Sequence, residues 1–195
     1  MREIVAMASV NQSDNVAQGD IIAGDKIETT FNISPTVAVL NELSLLYAKM
    51  KNLDPEDDSG GVFCEQLEHY LSSEANSDVR GLEAKLTESG RQDLIETATR
   101  LKEKAVKSVM RRQSSRTAQR VYTLILSELH TNFELLVTPA IQDGATRADV
   151  DLRILNALNM TKNALGENAL EFTARDLLGL LYFLGGNCHI RWDKC

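Results

Sequence analysis

Proline is scarce in this chain, with three in 195 residues, and aromatic side chains make up only 5%. Little is therefore present to break helices, and little to stack nucleic-acid bases. Cysteine is scarce too. Cys64, Cys188 and Cys195 are an odd and scattered set, which excludes a disulfide framework and points to a reducing cytoplasm. The longest apolar run, "LLGLLYFLGG", is about half a membrane span. The opening "MREIVAMASV" holds too short an apolar stretch for a secretory leader. No membrane association is expected.

The motifs of common chemistries are missing as well. No phosphate-cradling G-x-x-x-x-G-K-[ST], no dinucleotide G-x-G-x-x-G and no G-x-S-x-G elbow occurs. No C-x-x-C spacing offers a zinc site, and on a helix Cys64 and His69 would lie about 140° apart. Cys188 and His189 are neighbours, and on a strand neighbours point to opposite faces, so thiol and imidazole would not meet. A small hydrolase would need a cleft in which His69, His130 or His189 met an acid. Counted from Asp54, the calcium-loop pattern finds Glu56, Asp58 and Glu65, but Ser59 replaces the turn glycine and Gly61 the pinning apolar residue. The segment reads as an acidic linker. The chain is expected to hold no catalytic site, no metal and no cofactor, and not to be an enzyme.

What is present is an ordinary globular composition, 43% apolar and 25% charged, long enough for one core. From Ser34 and Pro35, a good cap and first turn, Val37, Leu40, Leu43, Leu46, Tyr47 and Met50 recur at helical steps to about Lys51. A shorter helix covers about Val62 to Ser73. Asp78 can cap the next, with Val79, Leu82 and Leu86 on one face and Gly90 as its stop. Leu94 to Val109 and Val121 to Leu136 mark two longer helices, with "QSSRT" at 113 to 117 as the joint and Pro139 as the end. Another helix is expected over about Ala148 to Leu165. Thr173 and Asp176 make a capping-box-like start for "RDLLGLLYFL". That helix is apolar nearly all round, which places it at the centre of a bundle or under a partner.

The two ends change period. "NQSDNVAQGDIIAGDKIETTF", residues 11 to 31, carries Gly19-Asp20 and Gly24-Asp25 as turn-forming corners between short extended arms. Its stretch "VAQGDIIAGDKI" has the composition of a stacking segment through which copies could join as a homo-oligomer. Cys188, Ile190 and Trp192 alternate with His189, Arg191 and Asp193, as a half-buried strand would. The expected fold is mainly α, a bundle of about six to seven helices. A small β element forms where the N-terminal ribbon pairs with the C-terminal strand. The expected division is 1–33 as the ribbon and 34–195 as the helical domain.

The charge is uneven. Residues 100 to 120 hold eight Lys or Arg against the single acid Glu103, a net of +7 that leaves −14 on the rest of a chain totalling −7. Arg100, Lys104, Lys107 and Arg111 step by four, three and four; Arg112, Arg116 and Arg120 continue by fours. Such a ridge could be a solvated face, could meet an acidic protein or could neutralise the phosphates of a nucleic acid.

The ribbon "NVAQGDIIAGDKI", the helical body and the closing "LLYFLGGNCHIRWDKC" together resemble the C-terminal recognition domains of bacterial ABC three-component conflict systems. The resemblance implies an antiviral defence context with protein partners, an ABC-type ATPase and a middle component, and a role in coupling recognition of an invader to an effector. Family members often carry an effector domain ahead of the recognition domain. With only a ribbon in that place, this chain is expected to be a stand-alone recognition component or an adaptor. Its partner-binding residues would then be Gly19, Asp20, Gly24 and Asp25 at one end and His189, Arg191 and Trp192 at the other. The alternative is nucleic-acid binding by the ridge.

Overall fold

The computed structural model describes residues 37–52, 57–72 and 80–193. The chain divides into two units, Met1–Ile33 and Ser34–Cys195, and every described residue belongs to the second. The expected ribbon, with Gly19, Asp20, Gly24 and Asp25, lies outside the described residues.

Helix α5 (Arg116–Leu136) organises the second unit. Its apolar residues Val121, Ile125, Leu129, Phe133 and Leu136 recur at three- and four-residue steps, and residues such as Leu126 and Tyr122 widen that stripe until most of the helix is buried. Against it pack α1 (Val37–Lys51), through Leu43 and Tyr47, and α2 (Glu65–Leu71), through Leu67 and Tyr70. Leu136 ends α5, and Pro139 sits in the first turn of α6 (Thr138–Gln142), where its missing N–H costs nothing. Helix α7 (Arg147–Ala164) returns along α5; there Asn132 donates to the Thr161 hydroxyl at 3.1 Å inside the core.

The other centre is the pair α4 (Ile95–Met110) and α8 (Ala174–Gly186), which pack more extensively than any other two described elements. Their closeness depends on Gly179, because a Cβ there would lie 2.8 Å from the Leu101 carbonyl oxygen. Thr173 caps α8 through its hydroxyl while Asp176 answers to the Thr173 N–H, a complete capping box. Helix α8 buries Leu177, Leu180, Leu181, Phe183 and Leu184, so its all-round apolarity is used at the centre of the bundle. Between α2 and α4 lies the short α3 (Leu82–Glu88), closed by Gly90 at φ +69 and followed by a 3-10 turn over Gln92–Leu94. No helix among the described residues is long and apolar enough to cross a membrane.

The small β element requires correction. Among the described residues β pairing is confined to an isolated antiparallel bridge between Asp58 and Ser115. Residues 188–193 form no strand. Helix α8 runs on through Gly186, and Cys188, at φ +67, turns the chain sharply back into a hook. Residues of both parities are then buried, Ile190 and Trp192 but also His189 and Asp193, which the alternating pattern had assigned to opposite faces.

Candidate functional site

The hook is held from three sides. Trp192, the chain's sole tryptophan, lies edge-on to Phe133 of α5, with ring centres 5.6 Å apart, and against Tyr182 of α8. Gly185 makes room for it, since a Cβ there would fall 2.2 Å from the indole. From α3, the fully buried Lys85 donates to the Gly185 carbonyl at 2.6 Å and reaches Ile190 O at 3.4 Å. Burial pushes the Lys85 ammonium below the usual lysine range, against the pull of Cys188 and Asp193. Arg80 pairs with Asp193 at 2.6 Å and also with Glu88.

His189 closes a cluster that no sequence spacing announces. The chain has three histidines, and the structure brings all of them together around Tyr70. The His189 ring lies 5.1 Å from that of His69 on α2 and 6.0 Å from that of His130 on α5. Its Nε2 faces the Tyr70 carbonyl at 3.3 Å, and Asn187 donates to the same carbonyl at 2.9 Å. Glu134 stands 3.6 Å from His130. Cys188 points elsewhere, its Sγ donating to Arg80 O at 3.8 Å. Among the described residues no group of three or more His, Cys, Asp or Glu is placed to hold a metal ion. Of the three hook residues expected to meet a partner, His189 and Trp192 are therefore interior and Arg191 is half-exposed.

The acidic loop folds onto the start of α5. Asp57 accepts from the Ser115 hydroxyl and from Thr117 N, so it helps to cap the helix. Burial pushes the Asp57 carboxyl up, but these hydrogen bonds prevail and hold it below the usual carboxylate range. The buried Gln119 ties the loop down, donating to Val62 O at 2.9 Å and accepting from Cys64 N at 2.7 Å.

The cationic ridge separates into two parts because the helix breaks after Met110. Arg116 donates to Asp58 O at 3.2 Å, and Arg120 bridges Glu42 of α1 and Gln66 of α2, so both serve packing. Arg112 lies exposed in the turn between the helices. Arg100, Lys104 and Lys107 share one face of α4 and, with Glu103, Ser108 and Arg111 just past its end, line an open groove of about 380 Å³. Lys104 pairs with Asp176 at 2.7 Å and Lys107 approaches Glu103 at 3.9 Å. Burial raises the Asp176 carboxyl less than the bonds from Lys104 and Thr173 lower it, so it stays charged. Lys104 and Ser108 also border a recess of about 130 Å³ whose apolar half is Leu101, Ala105, Leu170, Phe172 and Leu180. Arg175 stands at its rim, and the Ser108 and Tyr122 hydroxyls inside it bond to each other at 2.7 Å.

By its fold the described part of the chain is an all-α domain closed by a buried C-terminal hook. Residues 81–192, more than half of its length, match C-terminal domain 9 of the ABC-three component (ABC-3C) systems, and the chain belongs to that family. The match runs from α3 through Trp192 and so takes in the α4 groove, α8 and the hook. No curated protein and no solved structure matches the chain. Membership of a multi-component system implies protein partners.

Proposed function

We propose that this chain is a non-enzymatic recognition module of a bacterial conflict system, acting in the cytoplasm to link an ABC-type ATPase and a middle component to an effector. Family membership over residues 81–192 carries this reading. The use of the interior supports it: the hook with His189 and Trp192, and most of α8, are buried in one core, which leaves the outer faces for contacts. Among the expected hook contacts, Arg191 is the one a partner would touch directly, while His189 and Trp192 would act by fixing the hook.

The test is reconstitution. The full chain is co-expressed with an ABC-type ATPase and a middle component of an ABC-three component system from its own host and followed by size-exclusion chromatography. Co-elution of the chain with either component is the expected result. A chain that elutes alone under every nucleotide condition overturns the proposal.

A further inference from the structure

We infer that the α4 groove and its recess are the docking surface for an acidic segment of a partner protein, with the partner's carboxylates along the cations and one apolar side chain in the recess. This rests on the proposed function and names the surface it would use. The four cations, Arg100, Lys104 and Lys107 on α4 and Arg111 at its C-terminal cap, extend over roughly 16 Å, the length of about three helical turns of a partner. Arg100 and Arg111 make no ion pair among the described residues. Lys104 and Lys107 hold theirs with side chains that remain 67% and 70% exposed, and exposed pairs of this kind exchange partners readily.

The recess decides the class of partner. Half of its lining, Leu101, Ala105, Leu170, Phe172 and Leu180, is apolar, so it can seat an apolar side chain beside the cations. Tyr122 and Phe172 meet edge to face at 5.6 Å and are 2% and 7% exposed, leaving no ring face on which a base could stack. The net of −14 outside residues 100 to 120 would repel a polyanion running beyond the stripe. A short acidic protein segment with an apolar anchor meets neither obstacle.

The experiment uses the reconstituted complex and a carbodiimide, which condenses a lysine amine with a touching carboxylate as an amide, with net loss of water. Mass spectrometry is expected to find Lys104 or Lys107 joined to an Asp or Glu of the ATPase or middle component. The triple variant Arg100→Glu, Lys107→Glu, Arg111→Glu should weaken the complex at least tenfold. Leu170→Glu, which puts a charge in the recess, should weaken it similarly. A complex that forms with unaltered affinity in these variants overturns the docking surface and leaves the proposed function standing; absence of any complex overturns both. Two other outcomes also overturn it: cross-links from these lysines to a second copy of the chain, or binding of a 20-nucleotide oligonucleotide that the triple variant abolishes while the protein complex persists.

Discussion

Two buried polar side chains show what a single residue contributes here. Tyr47 is fully buried on α1, and its hydroxyl finds no hydrogen-bond partner among the described residues. Burial pushes its pKa up to about 12. Tyr47→Phe should therefore stabilise the protein by about 1 kcal/mol at neutral pH, read from urea unfolding. The sign above neutrality follows from linkage. An unfolded tyrosine loses its proton near pH 10, about two units before the folded one, so the tyrosine protein loses stability from about pH 10 to 12. The advantage of Phe should widen over that range. Lys85 is the opposite case, because its buried amine satisfies the Gly185 and Ile190 carbonyls that end α8 and carry the hook. Lys85→Ala should cost about 2–4 kcal/mol and shift the emission of Trp192 to the red as the hook loosens. Lys85→Met, which keeps the stem and loses only the donor, should cost less.

Among the elements, the α4–α8 contact is set by a missing side chain. In Gly179→Ala the new methyl would sit 2.8 Å from backbone at Leu101, which has no rotamer to yield. The two helices must part, and a loss of about 1–3 kcal/mol is expected in thermal or urea unfolding. The α5 cap gives a pH signature. Asp57 titrates below an ordinary carboxylate, so its contribution is complete above about pH 4 and is lost as pH falls through its lowered value. Asp57→Asn should destabilise by about 1 kcal/mol at pH 7, and the gap from the unaltered chain should narrow by about pH 3.

These elements also show where the sequence was informative. Helices α1, α4 and α5 follow from apolar steps of three and four, α7 and the all-round apolar α8 stand where they were expected, and Thr173 with Asp176 forms the capping box that their spacing suggested. The hook's sequence reads as a strand because six residues carry too few periods to separate alternation from close packing on all sides. Lys85 stands one step from Leu86 and three from Leu82, a lysine on an apolar stripe that could have been singled out. The histidine cluster had no local signal, since its members lie on three elements far apart in sequence. The cationic stripe was legible on α4 as spacing, but its separation from Arg116 and Arg120 depended on where the helix broke.

At the scale of the whole molecule, the family match begins at residue 81, whereas the core does not. Helices α1 and α2 lie before the matched residues, yet Leu43, Tyr47, Leu67 and Tyr70 belong to the same buried cluster as Phe133, Leu180 and Trp192. Removing α1 and α2 would expose their seats on α5 and take away Tyr70, around which the three histidines gather. Burial of four side chains of this size is worth roughly 6–12 kcal/mol before the entropy of ordering them, the same order as the entire stability of an ordinary domain. A fragment restricted to residues 81–192 should thus stay helical by circular dichroism but lose a cooperative thermal transition, with Trp192 emitting as if in water. Residues 34–195 should keep both the transition and a blue-shifted Trp192, because every described member of the cluster lies in that unit. A cooperative melt of the shorter fragment at the temperature of the longer one would show that α1 and α2 are additions to a domain complete without them.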